Sequence, residues 1–328
     1  MLRIKNDALV RESGKYWYQD QLFDGLAYNV TDLNCNVIRI VGGEPAGNYA
    51  SPYFTDVSSP AGIDFTGFTE DDIEVEGEIS NGAGLSYART LMGHKLSRNG
   101  QPYTGLAYAF FREFCIQEVG YKDGILISDA KWYHDGQLFE LCLLSEVDEC
   151  YVWNEDGTRK GAWISLVRVD ADHCAERLLH LQLGFTSSGE LRSLQAEGDI
   201  EAIETVVASH PYFPVRKLDE LCDYTAAERF VFFDDAIPFA LFEGMVKSNA
   251  FRSTVELHLP SKFLTMPEGI ELVGRLRALR NVSLSSEAGN ELTVAKKLKN
   301  RRPDIEVEVP RERADNPGYF DRVEVDQY

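Results

Sequence analysis

Nowhere does this sequence carry an apolar run long enough to cross a bilayer. The longest, such as Ile38–Gly43 and Ala236–Phe242, fall far short of the roughly 20 residues that a spanning helix needs, which excludes a transmembrane helix. The opening segment, Met1–Gly14, also lacks an apolar stretch and holds Arg3, Lys5, Asp7, Arg11 and Glu12. No secretory signal is expected, and the chain reads as cytoplasmic. Cysteine is sparse and unpatterned: Cys35, Cys115, Cys142, Cys150, Cys174 and Cys222 show no CxxC spacing, so buried free thiols are expected in a reducing compartment. Cations are in deficit as well. Thirty-three Lys and Arg stand against 53 Asp and Glu, a net charge of −20. Phosphate backbones and anionic leaflets both need Lys or Arg to replace counterions, so neither nucleic acid nor membrane is expected as a ligand.

The motifs of common catalytic sites are missing too. VGGEPAGNYASP at 41–52 has three glycines but neither GK[ST] nor GxGxxG, and reads as a loop. GLSYA at 84–88 places Ala where a nucleophile elbow needs its last Gly. Asp170, Asp172, His173 and Cys174, with His180 further on, lack the tight ligand pairs of zinc sites and read as a turn capping a following element. Asp234 and Asp235 follow a strand-like run, where a turn or a helix cap is the simpler role. No catalytic residue, metal ligand or cofactor is assigned.

What the chain does have is enough apolar residues, 44% of 328, for about two domains with ordinary cores. Its charge is uneven. Residues 251–302 hold ten Lys and Arg against five Glu, so the remainder carries −25. The run EDDIEVEGE at 70–78 contains six carboxylates and no cation, which suits a solvated edge or an electrostatic landing site for a basic partner.

Repeats organise the first part. QLFDGLAY at 21–28 and QPYTGLAY at 101–108 share five of eight residues at an offset of 80. YKDG at 121–124, WYHDGQLFELCLL at 132–144, WNEDGTRKGAWISLVRV at 153–169 and FTSSGELRSL at 185–194 follow. Each sets a DG, NG or SG pair between alternating apolar and polar residues, the pattern of hairpins closed by tight type I′ turns. With units of about 20 residues, a meandering antiparallel sheet is expected. The pieces Tyr18–Leu22, Asn99–Tyr108, Tyr121–Gly124, Tyr133–Leu138 and Trp153–Gly161 resemble divergent MORN-type repeats, over about half of residues 15–195. The expected first domain is 1–197, with an insertion near 42–82.

The texture changes around 195–215. Asp199–Ser209 has helical spacing in Ile200, Ile203, Val206 and Val207, and HPYFP breaks it. Strand-like runs then recur at 230–233, 255–259, 281–285 and 305–309, with helix-like stretches at Gly269–Leu279 and Glu291–Lys299. Constant strand–helix–strand pitch implies right-handed crossovers and a parallel sheet. GRLRALRNVSLSS followed by KLKNRRPDIEVEV resembles leucine-rich repeats, without their asparagine ladder. The expected class is therefore α+β, an antiparallel hairpin-repeat sheet followed by a β-α parallel domain at 198–328 with an acidic tail.

Proteins with this divergent repeat are similar to bacterial antitoxins and immunity proteins. That resemblance implies a monomeric partner of a toxic effector, which binds the effector's basic surface and neutralises it. The residues expected to bind are the acidic run Glu70, Asp71, Asp72, Glu74 and Glu76, and the hairpin residues Asp123, Asp129, Trp132, Tyr133, Asp135, Trp153 and Asp156, aromatic anchors with acidic neighbours. A non-catalytic scaffold of a larger assembly is the alternative. Recognition led by acidic groups is expected to lose about tenfold or more in kon as salt rises from low to physiological strength. Stopped-flow association over a salt series checks this, and rates indifferent to salt would move the interface off the acidic surface.

Overall fold

The computed structural model describes residues 1–31, 34–54, 61–66, 78–80, 85–90, 93–169, 175–210, 213–224, 226–233, 237–285, 291–312 and 320–327. Among these are 25 strands and four α-helices. Twenty-two strands belong to a mixed sheet, while Val10–Glu12, Lys15–Tyr18 and Gln21–Leu22 form a small antiparallel sheet of three. The chain divides into two compact units, Met1–Gly157 with Val169–Ala175, and Thr158–Arg168 with Glu176–Tyr328. No helix among the described residues is long and apolar enough to cross a membrane.

In the first unit the octapeptide repeat is a repeat of structure. Tyr16, Phe23 and Gly43 close a triangle of backbone hydrogen bonds: Tyr16 N donates to Gly43 O, Phe23 N to Tyr16 O and Gly43 N to Phe23 O, at 2.8–3.0 Å. Leu96, Tyr103 and Gly124 close the same triangle at 2.8–2.9 Å. The turns match as well, with positive φ at Gln19–Asp20 and Asn99–Gly100, and at Gly42–Gly43 and Asp123–Gly124. Two consecutive left-handed residues fit the twist of a two-residue hairpin, which is why Asn-Gly and Asp-Gly serve there. At 135–136 and 156–157 only the glycine is left-handed. Gly136 N instead donates to Tyr133 O and Tyr133 N to Gln137 O, both at 2.9 Å, a longer loop than the type I′ turn expected from the DG pair.

Each repeat also has a parallel neighbour. Leu2–Lys5 runs beside Gly25–Thr31 with Ile4 opposite Ala27, and Ala61–Asp64 beside Gly105–Phe111 with Ile63 opposite Ala107. Ile4 pairs onward with Phe114 of the second repeat, and Ile63 with Asn34 of the first. The exchange is reciprocal, so the two repeats share one core. Tyr28 and Tyr108 meet there edge to face at 5.2 Å, among buried Leu26, Val37, Phe54, Leu106 and Phe110.

The two neighbour strands share only the isoleucine, and the difference one residue before it shapes the core. Where the second repeat has Gly62, at which a Cβ would strike the Tyr108 ring, the first has Arg3. Its buried guanidinium donates to Tyr28 Oη at 2.8 Å and Tyr49 Oη at 3.3 Å, lies 3.5 Å over the Trp132 ring and stands 3.8 Å from Glu118 Oε2. Ser51 Oγ and Tyr49 Oη donate to Glu118 Oε1. Burial pushes the Glu118 carboxyl up, against the pull of Arg3 and the two hydroxyls.

The expected α+β division does not form. Parallel ladders already occur in the first unit, as above. In the second, the antiparallel pair Ala175–Phe185 and Leu191–Glu197 continues through a parallel ladder into Ala226–Phe232. Parallel pairing runs on through Glu256–Leu259 and Asn281–Leu284 to Glu306–Glu312, which pairs antiparallel with Phe320–Glu324. The physical reason lies in sheet edges: a short parallel ladder has unpaired N–H and C=O rows on both sides, and antiparallel strands satisfy them. The change of texture at 195–215 thus falls inside one unit and one run of paired strands. The helices, Ile200–Ser209, Phe239–Lys247, Pro267–Gly274 and Glu291–Arg301, are 8–11 residues long. Asp199 caps the first by accepting from Glu201 N and Ala202 N.

One face of the parallel strands is apolar. Phe230, Phe232, Leu257, Leu259, Val282, Leu284, Val307 and Val309 are all buried, with Phe242 edge-on to Phe232 at 5.8 Å. The alternating residues form the other face, where a groove of about 480 Å³ is lined by Arg229, Phe233, His258, Ser283, Glu308 and Arg322. Arg322 Nη1 donates to Ser283 Oγ at 2.9 Å, and Ser283 Oγ lies 2.9 Å from His258 Nδ1. Burial, with the charges of Arg322 and Arg229, holds His258 down to about 4.

Two cysteines depart from the expected free thiols. The hairpin register sets Cys142 opposite Cys150, and the two form a disulfide. Cys35, Cys115 and Cys222 are free, and Cys174 lies outside the described residues.

The buried ion pair and His258 each have a measurable consequence. Glu118→Ala is expected to cost about 3–5 kcal/mol, because Arg3 stays buried without its counter-charge, whereas Arg3→Met combined with Glu118→Leu is expected to cost less. Urea midpoints of the three proteins check it. His258 is held neutral in the fold, so its contribution is complete above its unfolded value near 6.5 and is lost as pH falls towards about 4. His258→Gln is expected to flatten the acid side of the stability curve by about 2–3 kcal/mol between those limits, as read from urea titrations at stepped pH.

Candidate functional site: an acidic and aromatic patch

The strands Ile125–Trp132, Leu138–Leu143 and Val147–Trp153 form consecutive hairpins in the first unit. Their loops at 133–137 and 154–157 converge because Tyr133 Oη donates to Trp153 O at 3.1 Å. Asp135 Oδ1 accepts from Gln137 N at 2.9 Å, which orders the first loop. At Gly136, with φ of +81°, a Cβ would strike the backbone of Met1, so the loop packs against the start of the chain without a side chain between. Tyr133 rests edge-on against Phe139 at 5.2 Å, and Trp153 lies 6.1 Å from the buried Tyr151.

Carboxylates stand near Tyr133. Loss of solvent and the charges of Glu155, Asp135 and Asp156 push the Tyr133 phenol above its ordinary range. Beside the loop, exposed His134 stacks on Phe111 at 5.4 Å and Phe114 at 5.3 Å. A pocket of about 380 Å³ opens there, lined by Tyr18, Phe23, Asp24, Phe114, His134 and Asp135. Phe111 is 48% exposed. An aromatic floor with a carboxylate rim is the arrangement that receives a long cationic side chain, through ring faces for the stem and charge for the head.

Four of the residues expected to bind a partner, Tyr133, Asp135, Trp153 and Asp156, are therefore together. The others are elsewhere or serve the fold. Asp123 sits in the second repeat's turn, its N–H donating to Thr104 Oγ1 at 2.9 Å. Asp129 accepts from Gln117 at 2.9 Å and faces Lys131 at 3.7 Å. Trp132 is buried beneath Arg3. Glu70, Asp71, Asp72, Glu74 and Glu76 lie outside the described residues, as do Asp170, Asp172, His173, Asp234 and Asp235. The glycines at 42–43 are a hairpin turn between Asn34–Val41 and Glu44–Asn48. Sequence reading missed Glu155, His134, Phe111 and Phe114. The apolar pair Phe110–Phe111 was the available signal, since alternation buries only one of two adjacent strand residues.

No protein-family model matches this chain, and no curated protein matches it. Among solved structures, it is similar to a chain of the GtfA/B complex bound to UDP and GlcNAc, at 8% identity and a TM-score of 0.18, over 70% of this chain and 47% of that one. It is also similar to a chain of accessory secretory protein 1, 2 and 3 in Streptococcus pneumoniae, at 10% identity and a TM-score of 0.17, over 74% of this chain and 41% of that one. The chain thus spans less than half the length of either structure it matches, and at these scores the likeness carries no argument about fold or role.

Proposed function

We propose that this protein is a binding protein of the immunity or antitoxin kind, which neutralises a toxic effector in the cytoplasm by direct contact through its acidic and aromatic patch. The observation that carries this reading is the convergence of Tyr133 and Trp153 with Asp135, Glu155 and Asp156 on two joined loops, next to the pocket floored by Phe114 and His134. Aromatic anchors supply binding energy when desolvated, and the carboxylates around them speed encounter with a basic surface. A cationic side chain of the effector would enter the pocket while the loops cover its surroundings. Neutralisation as the outcome rests on the resemblance of the repeats to immunity proteins, and binding rests on the patch.

Scaffolding within a larger assembly is the second reading. It draws on exposed Arg275, Arg277, Lys296 and Lys297 around the last two helices, a basic surface on an acidic chain.

Co-expression with the neighbouring open reading frame, scoring survival and co-purification together, tests the proposal. Rescue from a toxic neighbour with a stable complex is the expected result; a harmless or unbound neighbour would remove the immunity reading. Within such a complex, Tyr133→Ala is expected to weaken binding roughly 10–30-fold, mainly through koff. Asp135→Asn with Asp156→Asn should instead lower kon. Surface plasmon resonance separates the two effects, and unchanged constants in both variants would place the interface elsewhere.

A further inference from the structure

We propose that Cys142, Cys150 and Glu140 form a redox-gated site for a thiophilic divalent cation of the zinc class, closed while the two sulfurs are joined and open once they are reduced. Sheet register assembles the site. Cys142 is directly opposite Cys150, and Glu140, two residues along the same strand, projects from the same face. The three side chains bring one ligand atom each to within 4.8 Å of one another. A tetrahedral zinc with Zn–S bonds of about 2.3 Å holds its two sulfurs about 3.7 Å apart. Side-chain rotation after the S–S bond breaks reaches that separation while the strands stay paired. Three protein ligands leave a fourth position for water or a ligand from outside, as in open zinc sites. The spacing of eight residues matches no CxxC pattern, so only pairing of the strands reveals the cluster.

Burial and charge agree with this assignment. Cys150 is buried, while Cys142 and Glu140 are partly exposed, so an ion has a route in and a dry side to rest against. Glu140 Oε1 accepts from Lys131 Nζ at 2.8 Å, and Asp129 Oδ2 lies 3.7 Å from the same ammonium. Asp129 is opposite Cys142 on the neighbouring strand. An arriving dication takes Glu140 from Lys131, which keeps Asp129 as its counter-ion. Two thiolates and two carboxylates then balance the metal and the ammonium to within one charge. Among the described residues no other such set occurs, and burial pushes the free thiol of Cys115 up to about 12 and that of Cys35 higher, where a thiol stays protonated.

A dithiol supplies two electrons and two protons, the S–S bond breaks to give two thiols, and the reductant leaves as its own disulfide. Metal binding then forms two S–metal bonds and releases two protons to water, so affinity rises with pH.

The full chain, oxidised or reduced with dithiothreitol and desalted under nitrogen, is titrated with cobalt(II), with zinc as competitor. One equivalent is expected to bind the reduced protein, giving a thiolate-to-cobalt charge-transfer band that zinc abolishes, and the oxidised protein should give no such band. Glu140→Gln is expected to weaken binding about tenfold or more, and Lys131→Met to tighten it severalfold. A reduced protein without the charge-transfer band, or one no different from Cys142→Ser, would overturn the proposal. Should Cys142→Ser fail to fold, the oxidised wild type is the sulfur-blocked control, and the same comparison decides.

Discussion

Side chains on paired strands alternate between two faces, and that alternation places the core, the cysteine cluster and the groove of the parallel strands. It sets Cys142 against Cys150, with Glu140 beside them and Asp129 on the next strand. On the parallel strands it sends Leu257, Val282 and Val307 inward and His258, Ser283 and Glu308 outward. A shift of one residue would exchange the two sets, exposing the apolar face and burying the charges. Register is therefore the constraint on which the core and the cysteine cluster depend.

The first unit shows how a duplicated sequence builds one core. Ile4 pairs with the second repeat and Ile63 with the first, so neither repeat completes its hydrogen bonding without the other. Tyr28 and Tyr108 meet where the copies join. The difference between Arg3 and Gly62 introduces the buried ion pair with Glu118, together with the Tyr28, Tyr49 and Ser51 hydroxyls that solvate it. Such a pair adds little net stability over an apolar substitute, but leaving either charge alone is costly, which ties the residues of the group to one another.

The pocket beside His134 and the groove beside His258 differ in character. In the first unit, an aromatic floor of Phe114 and His134 lies beside the carboxylates around Tyr133, an arrangement suited to a basic partner. In the second, Arg229 and Arg322 share an open sheet face with Glu308 and a neutral His258, so no single sign of charge prevails. The difference follows from chemistry: loop tips collect acids because Asp and Asn suit turns, whereas outward strand positions accept any polar residue.

Much of the local structure was legible in the chain. The 80-residue repeat, the turns at Asn99–Gly100 and Asp123–Gly124, the helix within Asp199–Ser209 and the strand runs from 230 to 309 follow from local preferences: positive φ at glycine and the period of the apolar residues. The loop positions of Asp135 and Asp156 were legible for the same reason, since turn chemistry places them there; Tyr133 and Trp153 were expected on hairpin strands, and of the two only Trp153 lies on one. The mixing of parallel with antiparallel ladders, the exchange of partners between repeats, the burial of Trp132 under Arg3 and the meeting of Cys142 with Cys150 were not legible. These depend on which strand lies beside which, a choice made by the total apolar surface buried and the edges left to satisfy, and no short window of sequence contains it. The sequence by itself determined where the chain turns and which face of each strand is apolar; only the tertiary structure decided which faces and which chemical groups meet.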